Sequence, residues 1–168
     1  MMDKLTLRAP EPSDLEMLYR LENLPDVWDA SWPDAPVSRQ MLADYLIGYS
    51  ADIARDHQLR LIAQVGGEAV GVVDIYDYSA SNSRAMVGIA VLPEWRGKGY
   101  GSEMLRQAAE YCRVRLSLHQ LCAFVARDNE PSLRLFDAAG FKTSGCLRSW
   151  LKKANAYEDA IILQLLFK

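Results

Sequence analysis

The chain has 168 residues, 50% of them apolar, and its 19 basic and 22 acidic side chains give a net charge of −3. That is enough for one compact domain with its own core, and it excludes a disordered tail or a disulfide-stapled miniprotein. The two signs of charge are interspersed, without the basic stripe that a nucleic-acid backbone requires, so no nucleic acid is expected as a partner.

Cys112, Cys122 and Cys146 are odd in number and too far apart for a zinc knuckle or a Cys-x-x-Cys redox pair. They read as small core residues of a reduced, cytoplasmic protein, with no metal expected. The opening Met1-Met2-Asp3-Lys4 lacks the apolar segment of a secretory signal. No stretch reaches the roughly 20 apolar residues of a membrane span, so a membrane is not expected as a partner either.

Leu5, Leu7 and Ala9 alternate with polar residues, which predicts a short strand stopped by Pro10 and Pro12. A helix is expected from near Ser13, carrying Leu15, Leu18 and Tyr19 on one face and ending at Pro25. The stretch from Pro25 to Pro36 holds Trp28, Trp32 and Pro33 among acids, a composition that argues against a regular element. Ser38 then caps a second helix whose apolar face runs through Leu42, Tyr45, Leu46, Tyr49 and Ile53.

From Gln58 the apolar period drops to two. Strands are expected at 59–65 and 69–78, joined by Gly66-Gly67 as a tight hairpin, followed by a third at 85–92 ended by Pro93. Helical spacing returns with Met104, Leu105, Ala108 and Cys112. A strand at 121–126 precedes a helix starting near Asn129 and closing at Gly140, and strands near 143–151 and 156–167 finish a mixed α/β order.

The most informative stretch runs from strand to helix through Val91-Leu92-Pro93-Glu94-Trp95-Arg96-Gly97-Lys98-Gly99-Tyr100-Gly101. A helix N-terminus leaves its first N–H groups unpaired and partly positive, and glycines let a phosphate approach them closely. A P-loop would need Ser or Thr after the Gly-Lys pair, where Gly99 stands. A dinucleotide fingerprint would need glycine where Ser102 or Met104 stands.

Arg96, Gly99 and Gly101 instead resemble the Arg/Gln-x-x-Gly-x-Gly/Ala pyrophosphate loop of the GNAT superfamily of acetyl-CoA-dependent N-acetyltransferases. The block from Asn129 through Ser132, Leu135 and Phe136 to Gly140-Phe141 is similar to a second element of that family. The resemblance implies one N-acetyltransferase domain over residues 1–168. Its fold would be α/β (α+β), a mixed, mostly antiparallel sheet of six to seven strands flanked by about four helices and splayed between two central strands.

It also implies roles. The backbone of Arg96, Gly97, Lys98, Gly99, Tyr100, Gly101 and Ser102 would hold the pyrophosphate of acetyl-CoA, the expected cosubstrate. Ile89 and Val91 would pair with its pantetheine arm, Ile89 N–H would polarise the thioester carbonyl, and Asn129 would bind a pantetheine amide. Asn129 is equally the residue type that simply caps a helix.

Two positions depart from the family pattern. Phe136 stands where a Tyr often returns a proton to the departing thiolate, and Ala85-Met86 where a Glu often serves as base. An amine of pKa about 10 must still lose a proton before attack. Asp74 and Asp77 are the preferred substitutes, with Glu94 and Glu22 behind them; the two aspartates, three apart on an alternating strand, should face opposite sides. Tyr76, Tyr78 and Tyr157 are spare hydroxyls.

The overall layout is similar both to spermidine acetyltransferases and to ribosomal-protein N-terminal acetyltransferases. Glu22, Asp26, Asp29, Asp34 and Asp77 would attract a cationic amine, and Trp28 and Trp32 are candidates for a lid over it. The expected acceptor is therefore a small polyamine-like amine, with a protein N-terminus as the alternative. A non-catalytic CoA-binding module is a third reading, prompted by Phe136 and Met86. The extended terminal hairpin makes a homodimer conceivable.

Overall fold

The computed structural model describes residues 3–30 and 35–168. Within them, β1 (Leu5–Arg8), β2 (Leu59–Val65), β3 (Glu68–Ser79), β4 (Arg84–Val91), β5 (Gln120–Ala126), β6 (Lys142–Lys153) and β7 (Ala156–Leu166) form one seven-stranded sheet. The order is β1-β2-β3-β4-β5-β7-β6, antiparallel throughout except for the parallel pair β4 and β5.

The described residues form six α-helices: α1 (Leu15–Glu22), α2 (Pro25–Ala30), α3 (Arg39–Gly48), α4 (Ile53–Asp56), α5 (Tyr100–Val114) and α6 (Glu130–Ala138). Two differ from expectation. Pro25–Ala30 is helical because Pro suits a first helical position and Asp26 in the first turn complements the positive helix end. The Ser38-capped helix stops at Gly48, and Ile53 opens a separate helix, since the Asp52 side chain accepts from Ala54 and Arg55 N–H at 3.1 Å each and restarts the chain there. Trp32 and Asp34 lie outside the described residues.

Alternation along the strands builds two cores. One face packs Ala85, Val87, Leu121, Ala123 and Val125 against Met104, Leu105 and Ala108 of α5 and Phe136 of α6. The other packs Ile62 and Val72 against Leu18 and Leu21 of α1 and Leu42 of α3. On that second face Phe124 of β5 stays 40% exposed, leaving an open surface beside the covered one.

The parallel pairing of β4 and β5 covers only Arg84↔Gln120, Ala85↔Leu121 and Met86↔Cys122. Beyond Met86 the strands part while each keeps its other neighbour, so the expected splay is present.

Candidate active site

The hydrogen-bond alternation of the sheet shows which backbone groups face the gap. Leu92 N–H donates to Val70 C=O at 2.9 Å, so the pairs Leu92/Val70, Ala90/Val72 and Gly88/Asp74 exchange bonds across β3 and β4. The peptide groups of Ile89 and Val91 therefore point the other way, toward the opening. On the far side, Phe167 N–H donates to His119 C=O and Arg127 N–H to Asp159 C=O, both at 2.9 Å, which turns the Phe124 peptide groups toward the same opening. An extended ligand entering here meets strand edges that still have donors and acceptors.

The glycine-rich turn closes one end of this gap. Gly97 has φ +72° and Gly99, at the N-cap of α5, has φ +85°, values that side-chain-bearing residues adopt at a cost. The first bond of the helix runs from Glu103 N–H to Gly99 C=O at 3.2 Å, so the N–H groups of Tyr100, Gly101 and Ser102 lie ahead of it, at the positive end of a 15-residue helix. A groove of about 560 Å³ leads from Gly99 and Ser102 along α5 toward Ala138 at the end of α6.

The turn's side chains brace it. Arg96 Nε donates to Val91 C=O at 2.8 Å, and its guanidinium also pairs with Asp26 of α2. Trp95 meets Tyr100 edge-on at 5.6 Å between ring centres, with the Lys98 ammonium 5.1 Å from the Trp95 ring. Val91 thus keeps its N–H for a ligand, while its carbonyl is taken by Arg96.

Asn129 does cap α6: its side-chain oxygen accepts from Ser132 N–H at 3.2 Å, which leaves the amide NH₂ as a donor. Phe136 is buried against Phe141, with ring centres 5.0 Å apart, and brings no hydroxyl.

The carboxylates expected to act as bases or to attract a cation are nearly all engaged. Both Asp74 oxygens accept from Arg60, at 2.7 and 2.8 Å, and Glu22 of α1 accepts from the same guanidinium at 2.6 Å. Burial works against the Arg60 charge, but Asp74 and Glu22 outweigh it and raise its pKa. Arg20 holds both oxygens of Glu94, and the hydrogen bond lowers that carboxyl's pKa.

Asp77 differs from expectation. It sits at a β-bulge with φ +47°, between Tyr76 and Ser79 in the β3–β4 register. The extra residue breaks the alternation and brings Asp77 to the same recess as Tyr76, instead of to the side opposite Asp74. One of its oxygens accepts from Arg84 at 2.9 Å, and the other has no protein partner among the described residues.

Tyr76 is the hydroxyl that sequence reasoning left unplaced. Its ring lies against Gly88, where an added Cβ would meet Tyr76 Cε1 at 3.8 Å, one residue from Ile89. Burial, then Asp74 and Asp77, push its pKa up, so the phenol stays neutral at physiological pH. Tyr78 packs toward the α5 core and Tyr157 is 66% exposed, so neither joins the gap. Cys122 borders the recess as a thiol whose pKa is raised by burial, the opposite of what a nucleophile needs. Trp28 falls on α2, whose side chains at 28–30 are not described.

The arrangement is a V-shaped gap in a mixed sheet, with unpaired strand edges on both sides and a helix N-terminus with open N–H groups at its mouth. Residues 4–142 match the family described as "Acetyltransferase (GNAT) domain". The chain belongs to the GNAT acetyltransferase family. This GNAT protein is accordingly an acyltransferase, not a binding module without catalysis.

Its relatives include the spermidine N(1)-acetyltransferase of Escherichia coli (strain K12), 26% identical over 155 residues that cover 92% of this chain and 82% of the relative. The L-amino acid N-acetyltransferase AaaT of the same organism is 24% identical over 165 residues, covering 95% and 96%. Among solved structures, spermidine N-acetyltransferase from Vibrio cholerae in complex with CoA and spermine superposes with a TM-score of 0.88 at 24% identity, covering 96% of this chain and 95% of that one. The GNAT fold therefore holds over nearly the whole chain, whereas relatives this distant carry names with different acceptors.

Proposed function

We propose that this GNAT protein transfers the acetyl group of acetyl-CoA directly to a small primary amine in a ternary complex. The observation that carries the reading is the pair of outward-facing peptide groups, Ile89 and Val91, at the open edge of β4 beside the exposed N–H groups of α5.

In this reading the backbone from Arg96 to Ser102 holds the pyrophosphate. The Ile89 and Val91 N–H groups and the Asn129 amide take the pantetheine arm. Ile89 N–H also stabilises the oxyanion as the amine nitrogen bonds the acetyl carbon and the carbon–sulfur bond breaks, a contact worth about 3 kcal/mol of barrier. The CoA thiol, with a pKa near the ordinary thiol value of about 8.5, leaves without needing a strong acid, so Phe136 does not abolish the chemistry.

The amine's proton is assigned to Asp77, relayed through water, because its second oxygen is free at the recess. Asp74, held at both oxygens, positions Arg60 and Glu22.

A polyamine such as spermidine is the acceptor that the names of several relatives support. The charge argument for it is weaker than the sequence suggests. Glu22, Asp26, Asp74, Asp77 and Glu94 each pair with an arginine, so little free negative charge faces the gap. The test is thiol release from acetyl-CoA with spermidine, spermine, simple amines, amino acids and N-terminal peptides in parallel. Turnover above a no-acceptor control supports the reading. Failure to bind CoA and to turn over any amine rejects it.

A further inference from the structure

The apex of the gap opens into a recess of about 480 Å³ on the sheet face that α1 and α3 leave uncovered, lined by Tyr76, Met86, Cys122, Phe124 and Ile162, with Asp77 and Arg84 at its rim. Its walls are apolar almost throughout. Met86 and Cys122 form the last β4–β5 pair before the strands part, so the recess begins where the gap begins. Phe124 of β5 lies opposite Ile162 of β7 and remains 40% exposed, a large apolar ring facing this space without a covering element among the described residues.

Tyr76 joins the recess to the transfer point. Its ring covers Gly88, and its hydroxyl has no hydrogen-bond partner among the described residues. Ile89 stands three residues beyond Met86, about 10 Å along the strand, so one small molecule spans both. The rim charges are matched: Asp77 and Arg84 hold each other at 2.9 Å, and a second ammonium of a polyamine arriving there meets an arginine as well as a carboxylate.

We infer that this recess seats the apolar arm of the acceptor, and that the chain prefers a primary amine carrying an aryl-sized apolar arm to a polyamine. The inference rests on the reading of the gap as the transfer site. Burying an apolar arm contributes binding that a charged polyamine forfeits, because its second ammonium would lose water against Met86 and Phe124 and find at the rim only a carboxylate whose charge Arg84 already balances.

The experiment compares kcat/KM for phenylethylamine, n-butylamine and spermidine in the wild-type protein and in Phe124→Lys. CoA affinity and the oligomeric state are recorded for both. In the wild type, phenylethylamine should exceed n-butylamine and spermidine by about tenfold or more. In Phe124→Lys that advantage should collapse toward parity through KM. Phe124→Leu, which keeps an apolar side chain, should retain most of it.

Spermidine turned over as well as or better than phenylethylamine would overturn the inference while leaving the transfer reading intact. So would a Phe124→Lys protein that shifts from dimer to monomer with the acceptor preference unchanged, since the recess would then be a subunit interface. No CoA binding and no turnover of any amine would instead reject the transfer reading itself.

Discussion

The Arg96 guanidinium donates to the carbonyl of Val91, five residues back on β4, and ties the end of the open strand to the turn that begins α5. The bond sets where the N–H groups of Tyr100 to Ser102 stand relative to the Ile89 and Val91 edge, so it positions two parts of the proposed CoA site at once. Arg96→Ala should therefore weaken CoA binding by about tenfold, the usual scale for losing one charge-assisted hydrogen bond. Calorimetric titration with CoA checks this, and an unchanged Kd would mean the turn is held by Trp95 and Tyr100 alone.

Asp74 and Asp77 should separate cleanly by readout. Asp74→Ala leaves the half-buried Arg60 with only Glu22 and should lower the unfolding free energy by about 2 kcal/mol. Asp77→Asn removes the free carboxylate oxygen at the recess and should reduce kcat/KM by about a hundredfold at neutral pH, with a thermal midpoint close to wild type. An Asp77→Asn enzyme with unaltered kcat/KM would assign the proton to another group.

Acid stability should depend on Asp14, which is 3% exposed. Burial alone would raise its pKa, but two hydrogen bonds from Arg8 at 2.8 Å and one from Glu11 N–H at 2.7 Å win and lower it. With the folded-state pKa below the unfolded value of about 3.9, the stabilisation is complete above that pH and is lost as pH falls through the folded-state value. Asp14→Asn should cost about 3 kcal/mol at neutral pH and flatten the acid limb of a denaturation-versus-pH curve. A steep acid limb persisting in the variant would place the titration elsewhere.

Two glycines of the β3–β4 pair, Gly71 opposite Val91 and Gly88 opposite Asp74, should respond differently. A Cβ at Gly71 would run into the Ala90 carbonyl of β4, a backbone atom that cannot swing away. Gly71→Ala should cost about 2 kcal/mol by urea denaturation. A Cβ at Gly88 meets only Tyr76 at ordinary contact distance, so Gly88→Ala should lose less than about 1 kcal/mol. Equal losses would show that β4 can shift.

Much of the architecture was legible because it is written in local periodicity. The step from a period near 3.6 to a period of two at Gln58 located β2 to β4 within a residue or two, and Ser38 and Asn129 announced α3 and α6 through the caps they form. The glycines around Arg96 pointed to the turn because a strand that passes tightly into a helix needs glycine where φ is positive, as at Gly97 and Gly99. The short helices α2 and α4 were missed, being too brief for periodicity to show.

What the sequence determined by itself is the order of the strands and longer helices, the family and the glycine-rich turn, since each follows from neighbours in the chain. Only the tertiary structure decided which carboxylates are free. Arg60, Arg84, Arg96 and Arg20 reach Asp74, Asp77, Asp26 and Glu94, mostly from other elements, and turn a list of acids into a set of ion pairs. It also decided that Asp77 sits on a bulge and that Tyr76, Met86, Phe124 and Ile162 share one recess, because β3, β4, β5 and β7 are brought side by side by sheet order and register, which alternation along a single strand does not encode.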